Sequence, residues 1–409
     1  MNKSVLIINH YSGNEKVGME YRHKILSSYL IENYNVSIIS STFSHLFSSP
    51  PESGEELYND GVKQYWIKVP KYSGNGPIRL FNMISFSIKV IFYSIKGIFG
   101  RPDIVICSTP HPFVVINLIF FKFFLRSRVI FEVRDIWPLM LHEMNQISKY
   151  HPLSLIFSFL ESVGYRSSDA VVSLWSNAKK YTLSKGVKDS NYFFIPNGID
   201  IKEESIDIVS EPYELVKNLK DRGYFVIGYG GSHGLANPMD QVIEAAQICK
   251  RNDKKIAWVM VGDGPNKIVS INKTKELGID NIFWLNSVSK EKIMGFYNSL
   301  DVCFIGLKKL PLFKYGPTPN KLMDYMLASK AIIFSIDSPY NPVLEAKAGY
   351  YAEPDSGESL YKAAIKMSQL SHEEISLMGV NGRNFANKNL SYEAISGKYI
   401  SLIEKLLSK

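Results

Sequence analysis

Four glycines, Gly228, Gly230, Gly231 and Gly234, crowd seven residues of the segment IGYGGSHGLAN (227–237). They stand between an apolar run and a helix-period stretch. Glycine at such a junction lets the backbone approach a ligand closely, and the helix start beyond it offers free N–H groups and a positive dipole end. The chemistry that fits is phosphate binding. A tight turn with no ligand is the alternative. A second glycine turn follows the first apolar run, at Gly18 in VGMEYR, with Glu20 and Arg22 behind it, where they could meet an acceptor or a diphosphate. Arg134 and Asp135 end the run RVIFEV and precede Trp137 and Pro138. A charged pair at the carboxyl end of a parallel strand lies where open α/β sheets bind ligands, unless it is a buried structural ion pair.

The dinucleotide-binding pattern G-x-G-x-x-G fails here, because His233 occupies its third glycine position. Asp263 sits inside its own glycine turn, VGDGP, and not where a ribose-binding acid belongs. No P-loop, D-x-D, H-E-x-x-H or C-x-x-C pattern occurs, so neither a catalytic metal nor a cofactor is expected.

Elements must hold these residues in place. VLIIN (5–9), VSIIS (36–40), QYWIKV (64–69), DIVICS (103–108), RVIFEV (128–133), AVVSLW (170–175) and YFFIPN (192–197) read as strands. Helix-period stretches between them give a parallel sheet with crossover helices. Residues 201–223 are polar and acidic and read as a connection. A second series follows: FVIGYG (225–230), IAWVMVG (256–262), IFWLNS (282–287), DVCFIGL (301–307), AIIFSI (331–336) and GYYAEP (349–354). The expected fold is therefore α/β, with two Rossmann-like doubly wound domains facing each other across a cleft. Their bounds are placed at 1–203 and 204–390, with a helix over 391–409 packing back on the first.

Composition agrees with a globular chain: 409 residues, 45% hydrophobic and 21% charged. The first residues lack the apolar core of a signal peptide, and Cys107, Cys249 and Cys303 show no metal-ligand spacing. A cytoplasmic location is expected, and no nucleic-acid partner. The net charge of +8 is uneven, with ten Lys/Arg and the single acid Asp103 between Gly61 and Ile130. That stretch is also the most apolar. Asn82, Ser85, Lys89 and Lys96 fall on one helical stripe, and Lys122 interrupts the next apolar run, so neither segment is a good membrane span. Two readings stand: buried core helices, or a basic aromatic face resting on an anionic membrane surface.

Six segments in order resemble glycosyltransferase family 4, the retaining enzymes of GT-B fold: FEVRDIWPLML (131–141), IPNGID (195–200), IGYGGSHGLAN (227–237), VMVGDGPNK (259–267), GPTPNKLMDYMLASKAIIFS (316–335) and NPVLEAKAGYYAEP (341–354). The bacterial O-antigen and capsule branch, with its L-fucosamine transferases, is the nearest in appearance. The family's acidic signature is a pair of glutamates eight positions apart. Asp324 stands at the second place and Gly316 at the first, so the pair is incomplete. The resemblance implies that Asp324 holds the ribose hydroxyls and leaves Glu345 as a substitute for the missing acid. Many relatives grip the diphosphate with an Arg and a Lys where this chain has Ser232 and Asn237. Lys321, three residues before Asp324, and His233 are the replacements considered. Asn320, Leu322 and Gly262 complete the expected nucleotide-sugar set, and Arg134, Asp135 and Glu345 the catalytic one.

The implied activity moves a hexosyl group, an N-acetylated deoxy sugar, from a UDP donor to a polyprenyl-diphosphate-linked or glycan acceptor. A non-hydrolysing UDP-N-acetylhexosamine epimerase, an NAD-dependent oxidoreductase and a non-catalytic scaffold remain as alternatives. Acceptor-free turnover of a UDP-sugar, tight NAD binding, or absent UDP binding would favour each in turn.

Overall fold

Strands buried on both faces of a parallel sheet need apolar side chains in both directions. The runs singled out above have them. In a computed structural model, which describes all residues except Met1, Asn2, Glu15, Met19, Glu20, Asn75, Gln146, 202–208, Thr318 and Lys409, they build two separate sheets. Chain contacts divide the molecule into unit 1 (Met1–Asp200 with Tyr392–Lys409) and unit 2 (Ile201–Ser391).

Unit 1 opens with β1 (Ser4–Ile8), α1 (Arg22–Leu30), β2 (Asn35–Ser41), β3 (Gly54–Leu57), β4 (Lys63–Ile67), α2 (Pro77–Ile95), β5 (Ile104–Ser108) and α3 (Val114–Phe123). It continues with β6 (Arg128–Val133), α4 (Leu139–Asn145), α5 (Pro152–Ser167), β7 (Ala170–Ser173), α6 (Lys179–Ser184) and β8 (Tyr192–Phe194). Unit 2 runs through α7 (Glu211–Asp221), β9 (Phe225–Gly230), α8 (Met239–Arg251), β10 (Ile256–Val261), α9 (Lys267–Glu276), β11 (Ile282–Leu285), α10 (Lys290–Ser299) and β12 (Val302–Gly306). Then come α11 (Asn320–Leu327), β13 (Ala331–Ser335), α12 (Pro342–Glu345), β14 (Gly349–Tyr351), α13 (Gly357–Ser368) and α14 (His372–Asn389). The last helix, α15 (Tyr392–Leu407), belongs to unit 1.

The first sheet has eight strands in the order β3-β4-β2-β1-β5-β6-β7-β8. All its pairs are parallel except β3 with β4. The second has six, β11-β10-β9-β12-β13-β14, all parallel. The two sheets are the doubly wound pair that the alternating runs predict. β3 is the exception: its sequence, GEEL, is polar and exposed, and it forms an antiparallel edge that no apolar run announces. Of the expected connection, residues 202–208 lie outside the described residues, and the segment beyond them forms α7.

Alternation sorts the core of unit 1. Leu6 and Ile8 of β1 join Val105 and Cys107 under α2 and α3. Val5 and Ile7 join Ile104 and Ile106 on the opposite face, against Leu26 of α1 and Tyr399 and Leu402 of α15. Burying each such side chain contributes about 1.5–3 kcal/mol. The three cysteines are free and buried.

Helix α2 is apolar on both sides, with Met83, Phe86 and Val90 turned into the core. Asn82, Ser87 and Ser94 are buried, while Ile78, Phe81, Ile88, Phe92 and Ile95 are exposed. Asn82 of the expected polar stripe donates to the Pro70 carbonyl at 2.6 Å, and Lys89 reaches sideways to the Lys68 carbonyl at 2.7 Å. The basic set is also thinner than the sequence suggests, because Lys122 pairs with Asp169 at 3.1 Å.

Candidate functional site

The carboxyl ends of β9 and β10 meet the start of α11. Gly231 has φ +140 and Gly262 φ +149, conformations open to glycine and costly for other residues. A Cβ on Gly262 would overlap the Gly231 carbonyl, and one on Gly231 would sit 2.9 Å from Nζ of Lys321. The two glycine turns therefore lie against each other, and Lys321 lies against Gly231. Gly230 packs on Tyr297 in the same way.

Pro319 precedes α11 and fixes the entry to it, so Lys321 and Asp324 fall one turn apart. Nζ of Lys321 donates to the Tyr229 hydroxyl at 2.7 Å and lies 4.5 Å from that ring's centroid. Burial pushes the ammonium down to about 8, against the opposing pull of the Asp324 carboxylate. Burial, and then the Asp324 charge, push the Tyr297 phenol up. The structure thus gathers Gly230, Gly231, Gly262, Lys321 and Asp324 with Tyr229 and Tyr297.

Several expected members take other jobs. Four of the loop amides are already bonded: Gly230 N donates to the Tyr325 hydroxyl, Gly231 N to the Val261 carbonyl, His233 N to the Asp263 carbonyl and Gly234 N to Oδ1 of Asn237. The glycines close turns and admit Lys321; those four N–H groups do not face an anion. His233 is fully buried between Tyr229 and Trp284, and burial holds it down to about 4. It is neutral at pH 7, so as the second donor considered beside Lys321 it supplies no positive charge. Asn237 is buried as the cap of the glycine turn, whereas Ser232 is exposed. Leu322 is buried in the core, so its side chain cannot line a ligand site. Asn320 is exposed at the first position of α11. Gly316 has φ +76 and closes the turn Pro311–Tyr315. Glu345 is exposed on the four-residue α12; burial and then its charge push the nearby Tyr340 up to about 12.

In unit 1, Arg134 and Asp135 follow β6 and are half-buried. Arg134 N donates to Thr109 at 3.2 Å, and its carbonyl accepts from Nε1 of Trp175 at 2.7 Å. Asp135 borders a crevice with Trp137, Glu161 and Tyr165. Gly18, with φ +108, closes a turn against Ser48, and Glu20 lies outside the described residues.

Arg22 does not reach a ligand. It is buried and turned inward, with Nε and Nη2 donating to Oε2 of Glu132 at 3.3 and 3.2 Å and Nη1 donating to the Pro196 carbonyl at 2.7 Å. A fully buried carboxylate needs a paired cation and further donors. Glu132 has them: His23 at 2.9 Å, Ser108 at 2.7 Å and the Tyr399 hydroxyl. Against burial, which pushes it up, the Arg22 charge and the hydrogen bond from His23 hold its carboxyl well below the usual range. Sequence reading missed this hub. It also missed the pair His10 and His111, 2.7 Å apart at the ends of β1 and β5, with His10 stacked on Phe86. Burial lowers both imidazoles, so both are neutral. Among the described residues no group of three His, Cys, Asp or Glu is gathered as a metal ion would need.

Comparison with known proteins assigns each unit. Residues 18–203 match the family model Glycosyltransferase Family 4, and residues 212–385 match Glycosyl transferases group 1. No curated protein sequence matches the chain. Among solved structures, HepE from Anabaena, in a complex with UDP and glucose, is 12% identical, covers 98% of this chain and 100% of its own, and has a TM-score of 0.65. Sucrose-phosphate synthase from Thermosynechococcus elongatus is 14% identical over 99% of each chain, with a TM-score of 0.70. An Escherichia coli structure described as trehalose-6-phosphate bound with UDP-2-fluoro glucose is 10% identical over 98% of this chain and 99% of its own, also at 0.70. These likenesses carry the fold, and the two family matches carry the activity: the chain is a glycosyltransferase of the family 4 type, with the GT-B fold.

Proposed function

We propose that this glycosyltransferase takes a hexosyl group, an N-acetylated deoxy sugar, from a UDP donor and passes it to a polyprenyl-diphosphate-linked acceptor. Configuration is retained, and the setting is bacterial surface-polysaccharide assembly, of O-antigen or capsule, at the cytoplasmic side of a membrane. The observation that carries the donor half is Lys321, packed on Gly231 at the carboxyl end of β9, with Asp324 one helical turn further along α11. UDP and glucose in the complex named for HepE support the choice of nucleotide. The absence of D-x-D from the sequence supports a metal-free site.

Lys321 brings an ammonium group to the leaving diphosphate. A preorganised charge in a partly buried site is worth more than the same charge in water. Asp324 accepts from the ribose hydroxyls. An acid beside the sugar ring would stabilise an oxocarbenium-like transition state. Of the two acids assigned to that role, Asp135 is the better sheltered, and Glu345 is exposed.

Asp324→Ala tests the assignment. Hydrogen bonds to a charged group contribute about 1.5–3 kcal/mol, so UDP affinity should fall roughly 10–100-fold by calorimetry. The melting temperature without ligand should be nearly unchanged. Unaltered UDP affinity in the folded variant would refute the role.

A further inference from the structure

The exposed residues of α2 are not scattered. Ile78, Phe81, Ile88, Phe92 and Ile95 recur at spacings of 3, 7, 4 and 3, the period of one helix face. Ile95 is 70% exposed and Phe81 61%. The buried side of the same helix holds Asn82, Ser87 and Ser94, each hydrogen-bonded to backbone, with Met83, Phe86 and Val90 between them. A helix that only covers a sheet in water turns a polar face outward, and the outer face of α2 is apolar.

The neighbouring helices extend the face. α2 packs beside α3, and α3 beside α5. Phe123 and Phe124 at the end of α3, and Leu155, Ile156 and Phe159 on α5, are exposed as well. A contiguous apolar surface of this extent marks an interaction site. Basic residues border it: Lys96, Arg101 and Arg126 are exposed beside the ends of α2 and α3, and Lys149 precedes α5. Asp103, the one acid between Gly61 and Ile130, is tied to Lys3 at 2.9 Å.

We infer that the outer face of α2, α3 and α5 seats unit 1 in the surface of an anionic lipid bilayer, its apolar stripe inserted among the acyl chains and its basic border on the headgroups. Charge complementarity selects this occupant. A second copy of the chain facing it across a two-fold axis would bring like basic borders together. The helix lies in the membrane plane and does not cross it. Its inner side is packed on β4 and α3, and spanning would strip Asn82 from the Pro70 carbonyl. Insertion through apolar side chains makes the attachment resist salt, while the basic border makes it prefer anionic lipid. The purpose of the surface rests on the proposed lipid-linked acceptor, which presents its reacting end at that interface; the surface itself does not depend on the donor.

The test is co-sedimentation with vesicles of phosphatidylcholine alone and with phosphatidylglycerol, at low and high salt. The native chain should sediment with the anionic vesicles and remain largely bound at high salt. A variant carrying Phe81→Ser, Ile88→Ser and Phe92→Ser should lose at least tenfold in vesicle partitioning. Because these positions are exposed, it should keep its melting temperature and its stabilisation by UDP. Lys96→Gln, Arg101→Gln and Arg126→Gln together should erase the preference for phosphatidylglycerol. Native protein that stays in the supernatant with both vesicles, or a serine variant that binds like the native chain, would overturn the inference. A native dimer that the serine variant converts to monomer, with no vesicle binding by either, would also overturn it and make the face a contact between copies. In these outcomes persistent UDP stabilisation leaves the donor assignment standing, whereas vesicle binding without UDP stabilisation removes the donor assignment alone.

Discussion

Lys321→Ala is expected to lower kcat/KM for sugar transfer from a UDP donor by about 10²–10³-fold, the scale of deleting one preorganised group that stabilises charge in a transition state. The side chain is held on three sides. Gly231 gives it room, Tyr229 accepts from its ammonium at 2.7 Å, and Asp324 lies one turn along the helix. A lysine so placed has lost much of its rotamer freedom before the donor arrives, so little further ordering is needed on binding. Its pKa adds a second signature. Burial pushes the ammonium down to about 8. The charged form is therefore present below that value, and UDP affinity should decline as pH rises through it. Arginine stays charged throughout this range. A Lys321→Arg variant, weaker overall because the guanidinium does not fit against Gly231, should lose that alkaline decline. An alanine variant with native kcat/KM, or a native pH profile flat from 6 to 10, would show that Lys321 does not serve the diphosphate.

Glu132→Ala should destabilise unit 1 by about 3–5 kcal/mol, the usual cost of leaving one partner of a buried ion pair without the other. Arg22 is only 4% exposed and would keep its charge with no counterion beside it. His23, Ser108 and Tyr399 would lose an acceptor together. Tyr399 carries the consequence to the last helix of the chain, because α15 packs on α1 and shares the Glu132 hub. At roughly 2–4 °C per kcal/mol for a domain of this size, the melting temperature should fall by about 6–20 °C. Arg22→Ala should cost a comparable amount, and the double variant less than the sum of the two. Calorimetry decides the matter. A Glu132→Ala protein melting within a degree or two of the native one would mean that the hub is ornamental.

The two sheets were legible because their strands are short apolar runs set between helical stretches, and burial on both faces leaves such runs few alternatives. β3 was not, since an exposed antiparallel edge of GEEL has no apolar pattern to read. Helix α2 shows a subtler loss. Periodicity gives the angle between polar and apolar stripes and says nothing of which one faces inward. Asn82 and Phe81 are neighbours in sequence, and only the packing of α2 on β4 and α3 shows that the asparagine is inside.

The candidate site was legible in part for a similar reason. Glycines at 228–234 announce a close approach, and the approach exists. What comes close is a second glycine turn at Gly262 and the side chain of Lys321, 90 residues beyond Gly231, and the amides of Gly230, Gly231, His233 and Gly234 are bonded within the protein. Arg22 was placed at a ligand because it follows a glycine turn. Its true partner, Glu132, lies 110 residues away, at a separation where no spacing rule operates.

On the proposed function, unit 2 binds a uridine nucleotide sugar at Lys321 and Asp324 with no help from a metal. Isothermal titration of UDP into the purified chain in the presence of EDTA decides between binding with and without one. Saturable one-to-one binding, unchanged by the chelator, tighter than that of GDP or dTDP and weakened in Asp324→Ala, is the expected result. Absence of UDP binding, or binding that appears only when magnesium is restored, would contradict it.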